Sequence, residues 1–307
     1  MNMISVVIPL YDKATQVRDT LTAVRKQTFT AYEVIIVDDG STDGSPDVVR
    51  EYLREYGDFA RQVRLLDQPH AGVSVARNKA IAESRFDWIA FLDADDTWEP
   101  GYLQAQYNLL SKYPFCDVLG AAYGLNQGGG KVVRAKLSTL PFEGTDGVLD
   151  NYFKVAINSH PPLTTSATIA RKSAIQEVGG FPENVSSGED LLTWARLAIN
   201  GRIAFNTKCM VMHNRDPHRF NRDQLTRMPS KDDVVGGSLE GLFRQHAGIP
   251  GLKAYIGAWH KMRARIYLSN SMKKEAWTEW RKLVRFHPVH YKTWAYLLVL
   301  ICPVKVI

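Results

Sequence analysis

Short apolar runs alternate with amphipathic segments along the first 125 residues of the chain. The runs are rich in β-branched and aliphatic residues, as expected for strands buried on both faces of a sheet. These predicted strands are 4–10, 33–37, 63–67, 88–92 and 117–123. The segments between them carry apolar residues at helical spacing, and the predicted helices are 15–27, 45–56, 72–84 and 100–113. The alternation predicts a Rossmann-like, mostly parallel sheet flanked by helices.

The second half of the chain has a different pattern. A glycine-rich turn or hairpin is predicted at 126–131, and residues 131–215 mix short strands with helices, among them 188–198. From residue 239 onward the pattern is helical, with predicted helices at 239–247, 252–268 and 274–286. We therefore predict an α/β domain over residues 1–238, with a division near 125, and a helical extension over 239–307.

Composition limits the class of protein. With 307 residues and 45% hydrophobic content, the chain can bury a substantial core. The three cysteines are far apart and outside any metal-ligand spacing, which argues against a disulfide framework or a zinc site and favours a reducing compartment. The first residues have no basic segment and no cleavage site, so they are expected to form a strand and not a signal peptide.

The net charge of +6 is distributed unevenly. Residues 251–307 contain eleven Lys and Arg against two acidic residues, so this segment carries +9 and the rest of the chain carries −3. Four of the seven tryptophans also lie in this segment. A basic, aromatic-rich tail can bind nucleic acid or an anionic membrane surface.

The last apolar stretch, 294–303, favours the membrane over nucleic acid as the partner of the tail. It is shorter than the about 20 apolar residues that span a bilayer, so an interfacial anchor at the inner leaflet is expected. The alternative is that these helices pack on the α/β domain or form a homodimer contact. A nucleic-acid partner is not expected.

Two aspartate clusters follow predicted strands. Asp38 and Asp39 end the second strand, and Asp93, Asp95 and Asp96 follow the fourth. Ligands of open α/β sheets bind at the carboxyl ends of the strands. Crowded carboxylates at this edge repel one another unless a cation or a donor-rich ligand is present. A hard divalent cation shared with a phosphate-bearing substrate fits this arrangement.

Five motifs in this order resemble the family 2 glycosyltransferases, which are inverting enzymes of the GT-A fold. The resemblance covers residues 4–198. The motifs are SVVIPLY at 5–11, VDDGSTD at 37–43, GVSVARN at 72–78, FLDADD at 91–96 and GED at 188–190.

The resemblance implies a site for a nucleoside-diphosphate sugar. Pro9, Leu10 and Tyr11 would form part of the nucleotide pocket. Asp39 would accept a hydrogen bond from the N–H of the nucleobase, usually uracil. Arg77 would face the diphosphate, because a guanidinium holds two oxygens in a fork. Residues 1–125 would then form the nucleotide-sugar-binding half, and 126–238 the acceptor-binding half.

The same resemblance makes Asp93-Ala94-Asp95 the metal-binding Asp-x-Asp motif, with Asp93 and Ala94 also contacting the donor. Mn²⁺ or Mg²⁺ fits such oxygen ligands. The spacing leaves open which of Asp93, Asp95 and Asp96 contacts the metal directly. His218 is the candidate for a further metal ligand from a downstream loop.

Glu189 and Asp190 complete the expected site. Inversion requires a base on the face opposite the leaving group, and the resemblance assigns that role to Asp190, with Glu189 shaping the acceptor site.

The expected activity is transfer of one sugar to a hydroxyl of a glycan or lipid-linked acceptor in cell-envelope or surface polysaccharide biosynthesis. The expected location is the cytoplasmic face of the cell membrane. A nucleotidyltransferase is disfavoured, because the first strand ends without a glycine-rich loop. The alternative is a catalytically silent, membrane-docked protein of the same fold.

Overall fold

The computed structural model describes residues 3–128, 131–214, 228–288 and Trp294. Its strands are β1 (Ile4–Leu10), β2 (Tyr32–Asp38), β3 (Val63–Asp67), β4 (Trp88–Phe91), β5 (Thr97–Trp98), β6 (Val118–Asn126), β7 (Val132–Arg134), β8 (Asp146–Val148), β9 (Thr168–Arg171) and β10 (Ile203–Asn214). Its helices are α1 (Val17–Arg25), α2 (Ser45–Glu55), α3 (Gly57–Ala60), α4 (Val73–Glu83), α5 (Tyr102–Lys112), α6 (Tyr152–Asn158), α7 (Lys172–Glu177), α8 (Glu189–Asn200), α9 (Val234–Gln245), α10 (Leu252–Ser269) and α11 (Lys273–Phe286).

The strands form one mixed sheet in the order β3-β2-β1-β4-β9-β6-β10-β5, with β7 paired to β6 and β8 to β10. Strands β3, β2, β1 and β4 pair in parallel, and β6 pairs in parallel with β10. Strand β9 runs antiparallel between β4 and β6. Consequently β1, β2, β4, β6 and β10 point the same way, and their carboxyl ends meet at one edge of the sheet.

The core lies on both faces of this sheet. Successive side chains of a strand point to opposite faces. Val6 and Ile8 accordingly belong to one buried cluster, whereas Val7 belongs to the other. Every residue of β2 is buried, as its continuous apolar sequence predicted. The α/β architecture predicted from the sequence is confirmed, including the mostly parallel sheet and the helical extension.

Helices α10 and α11 pack on the α/β core. Leu252, Ile256 and Trp259 of α10 and Phe286 of α11 join the same buried cluster as Trp194 of α8. The packing alternative for the tail is therefore realised as far as residue 288. No helix among the described residues is long and apolar enough to cross a bilayer. The apolar stretch 295–303 lies outside the described residues.

Helix α9 begins earlier than the apolar pattern predicted. It starts at Val234 instead of 239, because Asp233 caps its amino terminus by accepting a hydrogen bond of 2.9 Å from the Gly236 backbone N–H. The predicted domain limit at 238 thus falls within this helix. The division of the chain into domains stays a prediction.

Candidate active site

An open cleft of about 470 Å³ lies at the carboxyl edge of the sheet. Strands β1, β2 and β4 and the amino ends of α4 and α8 supply its walls. The residues that line it are Pro9, Leu10, Tyr11, Lys13, Asp39, His70, Gly72, Val73, Ala76, Arg77, Asp93, Ala94, Asp95, Val185, Ser186 and Glu189. All seven residues predicted to contact the donor are among them. His218 lies outside the described residues.

Asp39 holds the loop that enters α4. Its Oδ1 accepts hydrogen bonds from Gln68 Nε2 (2.7 Å) and from the Ala71 backbone N–H (2.8 Å). Its Oδ2 accepts one from the Gly72 backbone N–H (2.8 Å) and lies 3.0 Å from His70 Nδ1. A carboxylate offers about four lone-pair sites. A nucleobase N–H must therefore share or replace one of these donors.

His70 is the donor best placed to be replaced. Its side chain is 56% exposed, whereas that of Asp39 is 3% exposed. The imidazole stacks on the ring of Tyr11 with centroids 4.3 Å apart and an interplanar angle of 26°. Both rings line the cleft. The exposed His70 side chain therefore contacts the ring of Tyr11 and the carboxylate of Asp39.

Asp96 is a buried anchor and not part of the cleft wall. It is 3% exposed, and its Oδ2 accepts a hydrogen bond of 2.5 Å from Ser166 Oγ and lies 2.5 Å from His213 Nδ1. Its Oδ1 accepts one of 3.0 Å from the Asn214 backbone N–H. These contacts tie the loop after β4 to the end of β10. They leave Asp93 and Asp95 as the two carboxylates of the motif that face the cleft.

Asp93 and Asp95 each have a cationic partner. Asp95 forms an ion pair with Lys13, and Asp93 Oδ1 accepts a hydrogen bond of 2.8 Å from Arg77 Nη2. Burial raises the pKa of Asp95, the charge of Asp96 raises it further, and Lys13 offsets part of this effect. Lys13 was not predicted as a site residue; its position three residues after the strand β1 was the available signal.

Arg77 lies at the centre of the charge network. Its guanidinium bridges Asp93 and Glu189, at 2.8 and 3.1 Å, and its side chain is 4% exposed. Burial lowers the pKa of Arg77, but the two carboxylates outweigh it and raise the pKa. The ring of Phe181 lies 5.1 Å from the guanidinium carbon. The residue therefore connects the end of β4 to the start of α8.

Asp190 stands in the first turn of α8. Gly188 precedes this helix in the left-handed conformation (φ +82°), and Asp190 Oδ1 accepts a hydrogen bond of 2.8 Å from the Leu191 backbone N–H. Burial and the charge of Glu189 raise the pKa of Asp190 to about 6, although Arg77 lowers it. Such a carboxylate is ionised at neutral pH and is a stronger base than an ordinary one.

The residues facing the cleft fit a hard divalent cation. Asp93 and Asp95 offer carboxylate oxygens, the ligand type that Mg²⁺ and Mn²⁺ prefer. His213, at the end of β10, is a histidine near these carboxylates, and its ring nitrogens lie 2.5 Å from Asp96 Oδ2 and 2.8 Å from Thr164 Oγ1. Both nitrogens are thus occupied.

A second acidic group lies away from the cleft, between α9, α10 and α11. Asp233, His260 and Glu279 bring ligand atoms within 4.8 Å of one another. However, Arg263 Nε donates to Glu279 Oε1 at 2.8 Å and lies 3.4 Å from Asp233 Oδ2. A guanidinium already neutralises these carboxylates, so the group joins the three helices and does not fit a metal ion.

Solved structures share this fold. The S. aureus TarS fragment 1–349 in complex with UDP-GlcNAc superimposes with a TM-score of 0.63 at 18% identity, over 94% of this chain and 93% of that one. The mannosyltransferase PcManGT from Pyrobaculum calidifontis, in complex with GDP-Man and Mn²⁺, gives a TM-score of 0.59 at 19% identity, over 97% and 85%. The chain therefore has the GT-A fold of these glycosyltransferases.

Sequence comparison gives the family. The model of glycosyl transferase family 2 matches residues 5–178, and the chain belongs to that family. TuaG of Bacillus subtilis, a glycosyltransferase whose name refers to teichuronic acid biosynthesis, is 37% identical over 66% of this chain and 75% of its own. The pre-mycofactocin glycosyltransferase of Mycobacterium tuberculosis is 30% identical over 79% of this chain. The chain spans only 28% and 48% of the length of the first curated relatives that it matches.

Proposed function

We propose that the protein is an inverting glycosyltransferase that moves one sugar from a nucleoside-diphosphate sugar, preferably a UDP-sugar, to an acceptor hydroxyl. The observation that carries this proposal is the Arg77 bridge. It holds Asp93, on the donor side, 2.8 Å from one end of a guanidinium whose other end lies 3.1 Å from Glu189. Asp190, whose pKa is raised to about 6, follows Glu189 directly. In this proposal the bridge keeps the donor-side carboxylate and the general base at a fixed separation.

The reaction needs one proton transfer and one displacement. Asp190 accepts the proton of the acceptor hydroxyl while that oxygen attacks the anomeric carbon. The new carbon–oxygen bond forms as the bond to the diphosphate oxygen breaks on the opposite face, so the configuration inverts. The nucleoside diphosphate leaves with the bonding electron pair. No covalent enzyme intermediate is required.

The donor is proposed to lie along the cleft from Tyr11 to Asp93. The nucleobase would stack on the exposed ring of Tyr11 and donate its N–H to Asp39, in place of His70. Pro9, Leu10 and Ala94 line the same wall. The structure of the neighbour TarS contains UDP-GlcNAc, and that of PcManGT contains GDP-Man. Donors with uracil and with guanine are therefore both included in the test.

A divalent cation, Mn²⁺ or Mg²⁺, would be held by Asp93 and Asp95. When bound it would neutralise negative charge that develops on the leaving diphosphate. Lys13 pairs with Asp95 and lines the same cleft, so it would be free to turn to a phosphate oxygen once that carboxylate binds the metal. Arg77 keeps Asp93 oriented toward the cleft.

Nucleoside diphosphate release tests the proposal. Purified protein is incubated with UDP-, GDP- and dTDP-sugars, in Mn²⁺ or in EDTA. We expect release from one donor, dependent on the metal and lost in Asp95→Asn. A matched control is Asp146→Asn, which removes a carboxylate paired with Lys112 far from the cleft. No binding of any sugar nucleotide, with or without metal, would instead support the catalytically silent scaffold.

The acceptor is proposed to be a glycan or lipid-linked precursor of an envelope polysaccharide. The name of TuaG refers to the biosynthesis of such a polymer, teichuronic acid. A lipid-linked acceptor would lie at a membrane surface.

The exposed face of α11 has the residues expected for binding such a surface. It contains Trp277, which is 40% exposed, beside exposed basic residues and no exposed acidic residue. The exposed basic residues of α11 are Lys273, Lys274, Arg281 and Arg285.

We propose that this face of α11 binds the anionic cytoplasmic leaflet of a membrane. Tryptophan favours the bilayer interface, and each basic residue near an anionic surface contributes about 1 kcal/mol. Vesicle sedimentation with and without phosphatidylglycerol measures the binding. Arg281→Gln/Arg285→Gln should weaken it by roughly tenfold or more, whereas the charge-matched pair Arg50→Gln/Arg54→Gln on α2 should not. Equal effects of the two pairs would contradict a defined membrane face.

A further inference from the structure

The turn that starts α8 packs directly on helix α10. Gly188 has φ +82°, and a Cβ atom at this position would lie 2.5 Å from the six-membered ring of Trp259. Glycine is therefore required twice: for the left-handed backbone and for the close approach of the indole. The turn that presents Glu189 and Asp190 thus rests against the edge of the six-membered ring of a tryptophan from the helical extension.

Trp259 is itself held in place. It is 5% exposed, and its Nε1 donates a hydrogen bond of 3.0 Å to Asp233 Oδ1. The same carboxylate caps α9 through the Gly236 backbone N–H and lies 3.4 Å from Arg263 Nε. A buried indole with its N–H bonded to a fixed carboxylate has one orientation, so it is a rigid support for the turn.

Tyr255 supports the same turn from one helical turn away. Its hydroxyl donates a hydrogen bond of 3.2 Å to the Leu191 carbonyl, in the first turn of α8. Residues four apart lie on one face of a helix, so Tyr255 and Trp259 together present one face of α10 to the segment 188–191. Val185 and Ser186, which precede this segment in the chain, line the donor cleft.

We infer that Trp259 and Tyr255 are positioning residues for Asp190, and that the helical extension is part of the catalytic unit. This inference rests on the proposed function, because it takes Asp190 to be the base. The base must meet the acceptor hydroxyl at hydrogen-bond distance, and a displacement of about 1 Å can cost about 100-fold in rate. Asp190 also faces Glu189 on its own helix, Arg77 on α4 and Asp93 after β4. The contacts of Trp259 with Gly188 and of Tyr255 with the Leu191 carbonyl come instead from α10.

Three variants of α10 and one control test the inference. Trp259→Ala removes the support, Trp259→Phe keeps a shorter ring without the outer edge or the N–H of the indole, and Tyr255→Phe removes only the hydroxyl. The control, Leu283→Ala, removes a 1% exposed side chain of α11 that does not contact the turn. Hydrogen–deuterium exchange of residues 184–192 reports the turn, and calorimetry with UDP and Mn²⁺ reports donor binding. Nucleoside diphosphate release is measured with the donor that the wild type turns over fastest.

We expect Trp259→Ala to raise amide exchange in 184–192 by at least about tenfold and to lower kcat by about 100-fold, with the UDP dissociation constant within about twofold. Trp259→Phe should lower kcat less than Trp259→Ala but should not restore the wild-type value, because its ring lacks the atoms that meet Gly188. Tyr255→Phe should also lower kcat less than Trp259→Ala. Leu283→Ala should lower the unfolding temperature but leave exchange in 184–192 and kcat near wild type. A loss of kcat in Leu283→Ala equal to that in Trp259→Ala would overturn the inference, as would unchanged exchange in Trp259→Ala.

A size exchange provides an independent test. Gly188→Ala should abolish release, because the new methyl group meets Trp259. If contact with the indole is the cause, Gly188→Ala/Trp259→Leu should recover at least tenfold, and no recovery counts against the inference. If the wild type itself releases no nucleoside diphosphate, the proposed function fails. The exchange of 184–192 in Trp259→Ala then still decides whether α10 holds the turn.

Discussion

Replacing Arg77 with methionine removes the cation that joins the two halves of the candidate active site. Methionine keeps the unbranched aliphatic part of the side chain and much of its volume, so the cavity left behind is small. What is lost is the hydrogen bond of 2.8 Å to Asp93 and that of 3.1 Å to Glu189. Both carboxylates then lie beside Asp190 with no guanidinium between them.

The size of the effect follows from burial. Removing one partner of a buried ion pair costs about 3–5 kcal/mol, mostly because the remaining charge is left without compensation. The Glu189 side chain is 11% exposed and keeps that penalty, whereas Asp93 is 32% exposed and can be rehydrated. We therefore expect the lower end, about 3 kcal/mol of unfolding free energy. For a chain of this size this corresponds to roughly 6 °C in unfolding temperature.

The assay is urea and thermal unfolding of Arg77→Met beside Arg64→Met. Arg64 also pairs with two glutamates, Glu33 at 3.3 Å and Glu83 at 3.4 Å, but its side chain is 29% exposed. A screened pair of this kind contributes about 0–1 kcal/mol. The same number of ion pairs is thus lost in both variants. The difference is that Arg64 is more exposed, and that the buried Glu33 keeps hydrogen bonds from Ser5 Oγ and from the Arg85 backbone N–H.

A second substitution isolates the cause. Arg77→Met/Glu189→Gln neutralises one of the two stranded carboxylates, so it should be more stable than Arg77→Met alone by about 1–2 kcal/mol. If Arg77→Met is no less stable than Arg64→Met, or if the added Glu189→Gln destabilises it further, the buried-charge reasoning is wrong.

Three further effects are expected. Because Asp190 must be ionised to accept a proton and its pKa is raised to about 6, kcat should fall below pH 6 with a slope near one; a pH–rate profile flat to pH 5 would contradict this. Lys13→Met should bind Mn²⁺ several-fold more tightly by calorimetry, since no cation competes for Asp95; weaker binding would contradict the metal site. Burial raises the pKa of Glu279, but hydrogen bonds from His260 and Arg263 outweigh it and lower that pKa. Its stabilisation is therefore present above about pH 4.3 and lost as the pH falls through the lowered value, so Glu279→Gln should destabilise at pH 7 and much less at pH 3 in urea unfolding.

The elements that could be predicted are those whose own sequence carries a regular pattern of apolar residues. The strands β1, β2 and β4 are continuous apolar runs, and each buries nearly all of its residues. Their parallel order places Asp39 and Asp93 at one edge, so sequence order alone predicted that both would face one cleft. The helices α10 and α11 were predicted within one residue at each end, because their apolar positions recur at helical spacing.

The rest depended on contacts between distant residues. Asp96 could not be separated from Asp93 and Asp95 by spacing, since its partners Ser166 and Asn214 are 70 and 118 residues away. The sequence also did not show whether the C-terminal helices pack on the core or form an exposed surface. Basic and aromatic residues predict a surface, but the aromatic Trp259 is buried against Gly188, while Trp277 on the next helix is exposed. Basic and aromatic residues thus form a buried contact on α10 and an exposed face on α11, and composition alone does not distinguish the two.

The charge balance of the cleft explains why these contacts matter together. Among the described residues that line the cleft are four carboxylates, Asp39, Asp93, Asp95 and Glu189, and two cations, Arg77 and Lys13. Two negative charges are left, and burial makes this excess costly. A divalent cation would compensate the two charges, and on the proposed function the diphosphate of a donor would then bind through that cation and Lys13. The electrostatics favour metal and donor together over either alone, so UDP affinity should rise with Mn²⁺ concentration, and Mn²⁺ affinity should rise with UDP by the same factor.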